Sequence, residues 1–440
     1  MAASKRPSGE GRAPLARHGA LKSRHPFVTL VAMLGVVLGV FGVSAAGIAA
    51  YNVWDATQTV TANAVVLDGD KPLPPSLGAI EGGVNILVAG TDSCEGENAR
   101  LSSACRAGDT KGERNDVTML VHISDEPRRV TVVSFPRDML VSIPSCPKED
   151  SSGSYSAMSS QMINASYQYG GLACTVLTVE SLIQDEIDFA AAIRWAGVIN
   201  MSDAIGGVDV CVAEDISDPD NTGLSLTAGT HTLEGEQALQ FLRIRHGIGD
   251  GSDLGRISNQ QQFMSSMVRK LQSDSVLANP ATLLNLATTA INQVQQKQLV
   301  LSSGLTNPTL MVQIAMAAKD VPYEDIVFVQ YPTVYASGAG GSRVMPVKDA
   351  AKVLFDALKA NQPLTLTGDA SQGYGVEVTG EAVKPETAPT PAATEPAGEA
   401  PPTAETPATA ETPAAETRVE LPSDIAGQTA KDITCTQRQK

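Results

Sequence analysis

The stretch Val84-Asn85-Ile86-Leu87-Val88-Ala89-Gly90-Thr91-Asp92 sets the reading of the chain. Its short apolar run, Val84–Ala89, ends at Gly90 and Asp92 and predicts a buried strand. Val117–Ile123 and Val130–Phe135 predict two more, joined by a short polar link with Pro127, a spacing that suits a hairpin or adjacent strands. Residues 159–186 predict a helix interrupted at Gly170-Gly171, Asp188–Arg194 a strand, and the next residues a helix to about Ala204. Gly206-Gly207 introduces a strand at Val208–Val212, and helices are expected at 234–242, 254–272, 280–296, 307–319 and 347–360. Strands and helices mixed in this order imply an α/β (α+β) fold, a central mixed sheet with helical cover.

Outward from this core the composition changes. The chain has 440 residues, a net charge of −16 and 42% hydrophobic residues, enough for a sizeable core, so wholesale disorder is excluded. An acidic chain lacks the basic surface that nonspecific nucleic-acid binding needs, so no nucleic-acid partner is expected. The charge is unevenly spread: residues 1–26 carry a net +5, a basic tail. Residues 27–50 hold no charged side chain, and these 24 residues exceed the ~20 that cross a bilayer as a helix. Tyr51 and Trp54 follow where aromatic rings favour the interface. The expectation is a single-pass cell-membrane protein, N-terminus cytoplasmic and remainder outside, with a cleaved signal peptide as the alternative. Either way the bulk is exported, which permits disulfides. Residues 51–79 read as a stem, because Lys71-Pro72-Leu73-Pro74-Pro75 suits neither helix nor inner strand. Residues 377–425 read as an extended Pro/Ala/Thr/Glu-rich linker, with Ala-Glu-Thr-Pro-Ala at 404–408 and again at 410–414, followed by a tail, 426–440, that carries Cys435. Residues 80–275 are the expected main globular domain, and 276–376 either continue it or form a small accessory domain.

Acids and arginines cluster at the expected strand ends. Asp92 follows the first strand and Asp116 precedes the second; if those strands are neighbours, two carboxylates meet at one sheet edge, a donor set that hard cations accept. Asp at a strand end is, however, usually turn chemistry. Arg137 follows the third strand in Ser134-Phe135-Pro136-Arg137-Asp138. Arg243 and Arg245, two apart in Phe241-Leu242-Arg243-Ile244-Arg245, share one side of an extended segment, whereas on a helix they diverge by about 200°. Arg256 and Gln260 lie at i, i+4 on one helix face, with Ser252 or Asp253 as its cap. Guanidiniums bind phosphate through forked, charge-assisted bonds, so these residues suggest one focused anion site; surface ion pairs with the abundant acids are the alternative. Metal spacings built on His and Cys, a Gly-x-Ser-x-Gly elbow and a Walker loop are all absent, and His122 reads as structural.

Residues 84–272 resemble the LytR–CpsA–Psr family of membrane-anchored wall-assembly enzymes. The segments that carry the resemblance, in the family's order, begin with Asn85–Asp92, Arg114-Asn115-Asp116-Val117-Thr118-Met119 and Ser134–Asp138. They continue with Ile163-Asn164-Ala165-Ser166-Tyr167-Gln168-Tyr169-Gly170-Gly171, Ile205–Val210, Leu233–Leu239 through Arg243-x-Arg245, and Asp253-x-x-Arg256-x-x-x-Gln260-Gln261. Frequent alanine and scarce aromatics suggest a high-GC Gram-positive type. The resemblance implies a phosphotransferase that moves a glycopolymer from a polyprenyl-pyrophosphate carrier to peptidoglycan through a phosphodiester link, with an apolar pocket for the polyprenyl chain. It implies that Asp92 and Asp116 hold Mg²⁺ and that Arg114, Arg137, Arg243, Arg245, Arg256 and Gln260 line the pyrophosphate site. Asp138 and Asp253 are supporting acids and candidates for the general base. Two other readings stand beside it, a polyprenyl-pyrophosphate hydrolase and a non-catalytic lipid-carrier-binding regulator. The gap between Asp92 and Asp116 is longer than the family often has and holds Cys94 and Cys105, so a Cys94–Cys105 bridge is expected to keep the two acids in register. Cys146–Cys174 and Cys211–Cys435 complete the expected pairing, the last tying the tail to the core.

Overall fold

A computed structural model describes residues 64–67, 83–108, 112–148, 152–273, 280–306, 308–337, 343–384 and 418–440. All of them belong to a compact unit, Thr57–Lys440. The expected span at 27–50 lies outside the described residues, among which no helix is long and apolar enough to cross a membrane.

The strands are β1 (Val84–Thr91), β2 (Asn115–Ile123), β3 (Val130–Phe135), β4 (Leu140–Ile143), β5 (Met158–Met162), β6 (Phe189–Arg194), β7 (Val208–Val212), β8 (Gly229–Leu233), β9 (Leu299–Leu301), β10 (Ile326–Gln330), β11 (Val376–Glu381), β12 (Gly427–Thr429) and β13 (Asp432–Thr436). The helices are α1 (Ala165–Ile183), α2 (Trp195–Ala204), α3 (Gly235–Arg243), α4 (Asp253–Gln272), α5 (Pro280–Gln295), α6 (Pro308–Lys319) and α7 (Lys348–Lys359). Short strands of two or three residues, 3₁₀ turns and the five-residue helix Ser103–Ala107 lie between them.

A seven-stranded sheet runs in the order β9-β6-β1-β2-β3-β10-β12. β1 pairs antiparallel with β2, and β2 with β3, as the hairpin spacing suggested. β6 lies parallel to β1, and β10 parallel to β3. Alternation along each strand splits the core into two layers. Leu87, Ala89, Leu120 and Val133 face α1 and α7, burying Val176, Val179, Leu354 and Phe355. Ile86, Met119, Val132 and Phe328 face the other side, with Leu310 of α6. Covered on both faces, β3 is buried along its whole length, which is why it reads as a continuous apolar run. A second sheet, β8-β7-β13-β11, packs with α3 and α4 around Val208, Val210, Phe241 and Phe263.

The structure corrects parts of the sequence reading and bears out others. Residues Met158–Met162 are not the start of a helix: they form β5, which pairs antiparallel with β4, and α1 begins at Ala165. The expected break at Gly170-Gly171 is present, with non-helical angles at both glycines. β9 and β10 belong to the same sheet as β1, so 276–376 continues the domain. Both ends of the expected linker 377–425 are in strands, β11 reaching Glu381 and Val419–Glu420 forming another; residues 385–417 lie outside the described residues. The expected tail 426–440 supplies β12 to one sheet and β13 to the other. The cysteines pair as Cys94–Cys105, Cys146–Cys174 and Cys211–Cys435, the pairs expected.

Candidate functional site

The C-terminal ends of β1, β3 and β6 and the N-terminal end of β2 meet at one edge of the large sheet. Register places Thr91 opposite Asn115 on one side and Arg194 on the other. Such an edge is where ligands bind in α/β sheets. Asp92 and Asp116 therefore come together although 24 positions separate them in sequence.

Arg137, two residues beyond β3, is the hub. Its Nη1 donates to Asp116 Oδ1 at 2.8 Å, and its Nε lies 3.6 Å from Asp138 Oδ1 and 3.7 Å from Asp253 Oδ1. Burial alone would lower its pKa; Asp116, Asp253 and Asp138 outweigh burial and raise it. Arg256 reaches the same place from the first turn of α4. Its Nη2 is 2.5 Å from Asp253 Oδ1 and donates to the Asp116 carbonyl at 2.8 Å. Ser252 caps this helix through its hydroxyl, accepting from Leu254 N–H at 3.2 Å, so α4 begins in a fixed place.

Asp253 is 7% exposed: Oδ2 accepts the Arg137 backbone N–H at 3.0 Å, while Oδ1 is ion-paired with Arg256 at 2.5 Å without a hydrogen bond. Gln260 is also inward. Its Nε2 donates to the Leu242 carbonyl at 2.9 Å, so it fixes the residue before Arg243 and does not line an open surface.

Arg243 and Arg245 depart from the expected extended segment. Arg243 is the last residue of α3, and the chain turns to extended angles only at Ile244. The two guanidiniums therefore have different neighbourhoods. Arg243 lies with its Cζ 3.9 Å from the centre of the Trp195 ring and donates to the Leu101 carbonyl at 3.0 Å. Burial lowers its pKa, and the fields of Arg256 and Arg137 add to that, against Asp116 and Asp92. Arg245 lies by Asp138 in a recess of about 220 Å³ whose walls include Ser252 and Tyr335. Burial, and then Asp253, raise the Asp138 pKa against the arginines around it. Trp195 escaped the sequence reading. The available signal was its place directly after a buried strand, in a chain with two tryptophans.

The two candidate metal ligands differ. Burial would raise Asp116, but Arg137 and Arg256 hold it below the usual range. Burial and then Asp116 push Asp92 up to about 6, although its Oδ1 accepts Arg114 N–H at 2.6 Å. Two carboxylates that disfavour each other's charge form a donor set that a hard cation would relieve. No group of three or more His, Cys, Asp or Glu able to hold a metal occurs among the described residues. A cation here would take its remaining ligands from water and substrate oxygens, which suits Mg²⁺. Arg114 is tied to this pair only through its backbone; its Nε donates to Gln168 Oε1 at 2.9 Å.

The chain is similar to proteins of a known family. The profile of the LytR_cpsA_psr family matches residues 50–359. The cell wall biosynthesis protein LcpA of Corynebacterium glutamicum is 27% identical over 348 residues, 74% of this chain and 64% of LcpA. The polyisoprenyl-teichoic acid–peptidoglycan teichoic acid transferase TagU of Enterococcus faecalis is 26% identical over 247 residues, 56% of this chain and 72% of TagU. A LytR-Csp2A-Psr enzyme from Actinomyces oris aligns with 68% of this chain and 96% of its own, at 23% identity and a TM-score of 0.48. The chain thus spans less than two thirds of LcpA's length. With the family's profile matching well over half of the sequence, from the N-terminal side of β1 through α7, the chain belongs to the LytR_cpsA_psr family.

Proposed function

We propose that the chain is a membrane-anchored phosphotransferase that moves a glycopolymer from a polyprenyl-pyrophosphate carrier to a peptidoglycan hydroxyl. The observation that carries this reading is the convergence of Arg137, Arg243 and Arg256 on Asp116, with Arg245 beside Asp138. Transfer of a phosphoryl group spreads negative charge over the transferred and leaving oxygens, and preorganised cations lower that barrier. Family membership and the likeness to TagU, a polyisoprenyl-teichoic acid–peptidoglycan teichoic acid transferase, support the same class of reaction.

In this reading the acceptor oxygen attacks the phosphorus that bears the glycopolymer. The bond from that phosphorus to the bridging oxygen breaks, polyprenyl phosphate leaves, and the new bond is the phosphodiester. Arg243 and Arg245 contact the pyrophosphate from two sides. Trp195 beneath Arg243 and the Leu101 carbonyl keep that guanidinium oriented. Arg137 and Arg256, locked by Asp253, hold Asp116 ionised. Asp253, 7% exposed and paired with Arg256 at 2.5 Å, is held as part of the scaffold. Asp138, whose pKa is raised and which borders the open recess, takes the acceptor proton. Mg²⁺ held by Asp92 and Asp116 would supply further charge neutralisation at the phosphate oxygens.

A groove of about 750 Å³ is the proposed seat of the polyprenyl chain. Leu140, Val141, Leu182, Ile183, Tyr331 and Phe355 give it apolar walls. Tyr331 stacks on Phe135 at 5.3 Å, two residues before Arg137. Lys348, Lys352 and Lys359 also line it, and lysine stems cover apolar surface while their ammonium groups stay wet. The apolar segment 27–50 anchors the chain in the membrane that holds the carrier.

The test is transfer from a synthetic polyprenyl-pyrophosphate donor to peptidoglycan by Arg243→Ala and Arg245→Ala. Both should lose transfer while the protein stays folded. Unchanged transfer in both would sink the proposal, and release of free sugar phosphate without linkage would turn it into a hydrolase.

A further inference from the structure

A second cleft is walled by α2, α5 and the 3₁₀ turn Gly96–Leu101, and α2 and that turn also hold Arg243. It has a volume of about 470 Å³, and Ala204 is the only apolar side chain lining it. Its walls carry Glu97 from the 3₁₀ turn Gly96–Leu101, Asn200 and Asp203 from α2, and Asn292 and Gln296 from α5 and the residue after it. Asn200 Nδ2 donates to Gln293 Oε1 at 3.1 Å, bracing one wall against the other. Leu101 closes the same turn that carries Glu97, and its carbonyl holds Arg243; Trp195, under Arg243, begins the helix that carries Asn200 and Asp203. At 1.5 Å per residue, Asn200 and Asp203 stand roughly 8–12 Å along the helix axis from Trp195. That is about the span of a disaccharide.

We propose that this cleft binds the acceptor, as a neutral, polyhydroxylated glycan strand of which one hydroxyl reaches the arginine site. The inference rests on the transferase reading for its choice of ligand. Planar amides and carboxylates offer paired donors and acceptors to neighbouring sugar hydroxyls and N-acetyl groups. The charge of the cleft decides between the two substrates. Glu97 and Asp203 give it two negative charges, and no lysine or arginine is among its lining residues. An anionic polymer or a pyrophosphate is repelled here and attracted to the arginines, so donor and acceptor are sorted by charge at adjoining sites. The cleft has no aromatic platform, so binding rests on hydrogen bonds and is weak for one sugar, which favours a long strand over a free monosaccharide.

The experiment uses the full chain in detergent micelles and a soluble N-acetylglucosamine tetramer as probe, with binding followed by saturation-transfer NMR. The Michaelis constant for the same glycan as acceptor is measured at saturating lipid-pyrophosphate donor. Asn292→Ala and Gln296→Ala should each weaken binding and raise the acceptor KM about 3- to 10-fold, as loss of a neutral hydrogen bond does. Donor KM and the unfolding midpoint should not move. Equal glycan affinity and acceptor KM in wild type and both variants would overturn the proposal, as would a wild-type chain that transfers polymer yet binds no glycan. A wild type that transfers nothing, but binds the glycan and loses it in the variants, upholds the cleft and refutes the transferase reading instead.

Discussion

Replacing Asp253 with alanine separates a scaffolding carboxylate from a catalytic one. The native carboxylate is 7% exposed and faces Arg256, itself 5% exposed, at 2.5 Å. It also accepts the Arg137 backbone N–H. Alanine leaves Arg256 with the Asp116 carbonyl as its remaining partner at the first turn of α4, and leaves the Arg137 N–H without its acceptor. Charges about 4 Å apart interact by about 4 kcal/mol at an effective dielectric of 20. Breaking one side of a buried pair costs about 3–5 kcal/mol. The expected loss for Asp253→Ala is therefore about 3–5 kcal/mol. Asp253→Asn keeps an acceptor for Arg137 N–H and should lose about 1 kcal/mol less. Pairing Asp253→Asn with Arg256→Gln removes both buried charges, so the double variant should be more stable than the sum of its single losses predicts. Urea unfolding of the oxidised protein, followed by circular dichroism, gives all four values. A cost below about 1 kcal/mol for alanine, with strictly additive singles, would refute the scaffold role. Transfer lost in Asp253→Asn at wild-type stability would instead make Asp253 the acceptor's base.

Three further perturbations test other parts of the structure. His122 is buried with Nδ1 2.9 Å from Asn85 Oδ1, and burial lowers its pKa to about 4. The unfolded chain takes up a proton near pH 6.5 and the folded one does not, so stability falls as pH drops from about 6.5 to about 4, by up to about 3 kcal/mol; His122→Asn should flatten that slope in urea midpoints measured at pH 7 and pH 4.5. Cys211 and Cys435 are 224 residues apart, and the chain-entropy estimate for so long a loop is about 5 kcal/mol as a ceiling; Cys211→Ala/Cys435→Ala should lose a large part of that in denaturant unfolding, and a midpoint equal to wild type contradicts it. Gly249 has φ +53° and a Cβ there would lie 2.2 Å from the Gly373 carbonyl oxygen. Gly249→Ala should destabilise by about 1–3 kcal/mol and displace the loop between Arg245 and Asp253, lowering transfer more than it lowers donor binding.

The parts of the fold legible in the sequence are those whose signal is local. β1, β2 and β3 are apolar runs because helices cover both faces of the sheet, and the polar link at Pro127 marks their hairpin. The break in α1 was visible because two consecutive glycines supply angles a helix lacks. β5 was not legible. Ser159, Ser160 and Gln161 carry no strand signal, and the segment is a strand only because β4 offers its edge. β12 and β13 fail in the same way: three or five residues, largely polar, complete sheets whose other strands lie up to about 350 positions earlier. Pairing at that separation leaves no periodic trace in the segment itself.

The candidate site shows the same division, and its illegible half bears on mechanism. Asp92, Asp116 and Arg137 were readable because each sits at the end of an apolar run. The geometry of Arg243 and Arg245 was misread because Leu242 and Ile244 give an alternating pattern that a helix end also tolerates. That error matters physically. On one extended segment the two guanidiniums would grip an anion as a single fork. With Arg243 at the end of α3 over Trp195, and Arg245 past the turn beside Asp138, they stand as separate jaws. Arg243 is anchored by an aromatic face and a carbonyl, while Arg245 borders the recess with the candidate base. Arg243→Lys keeps the charge but loses the planar stack, and Arg245→Lys keeps the charge in a wetter place. The jaw reading therefore expects Arg243→Lys to cost at least tenfold more transfer than Arg245→Lys. A single fork expects equal losses, because each lysine breaks the same bidentate grip.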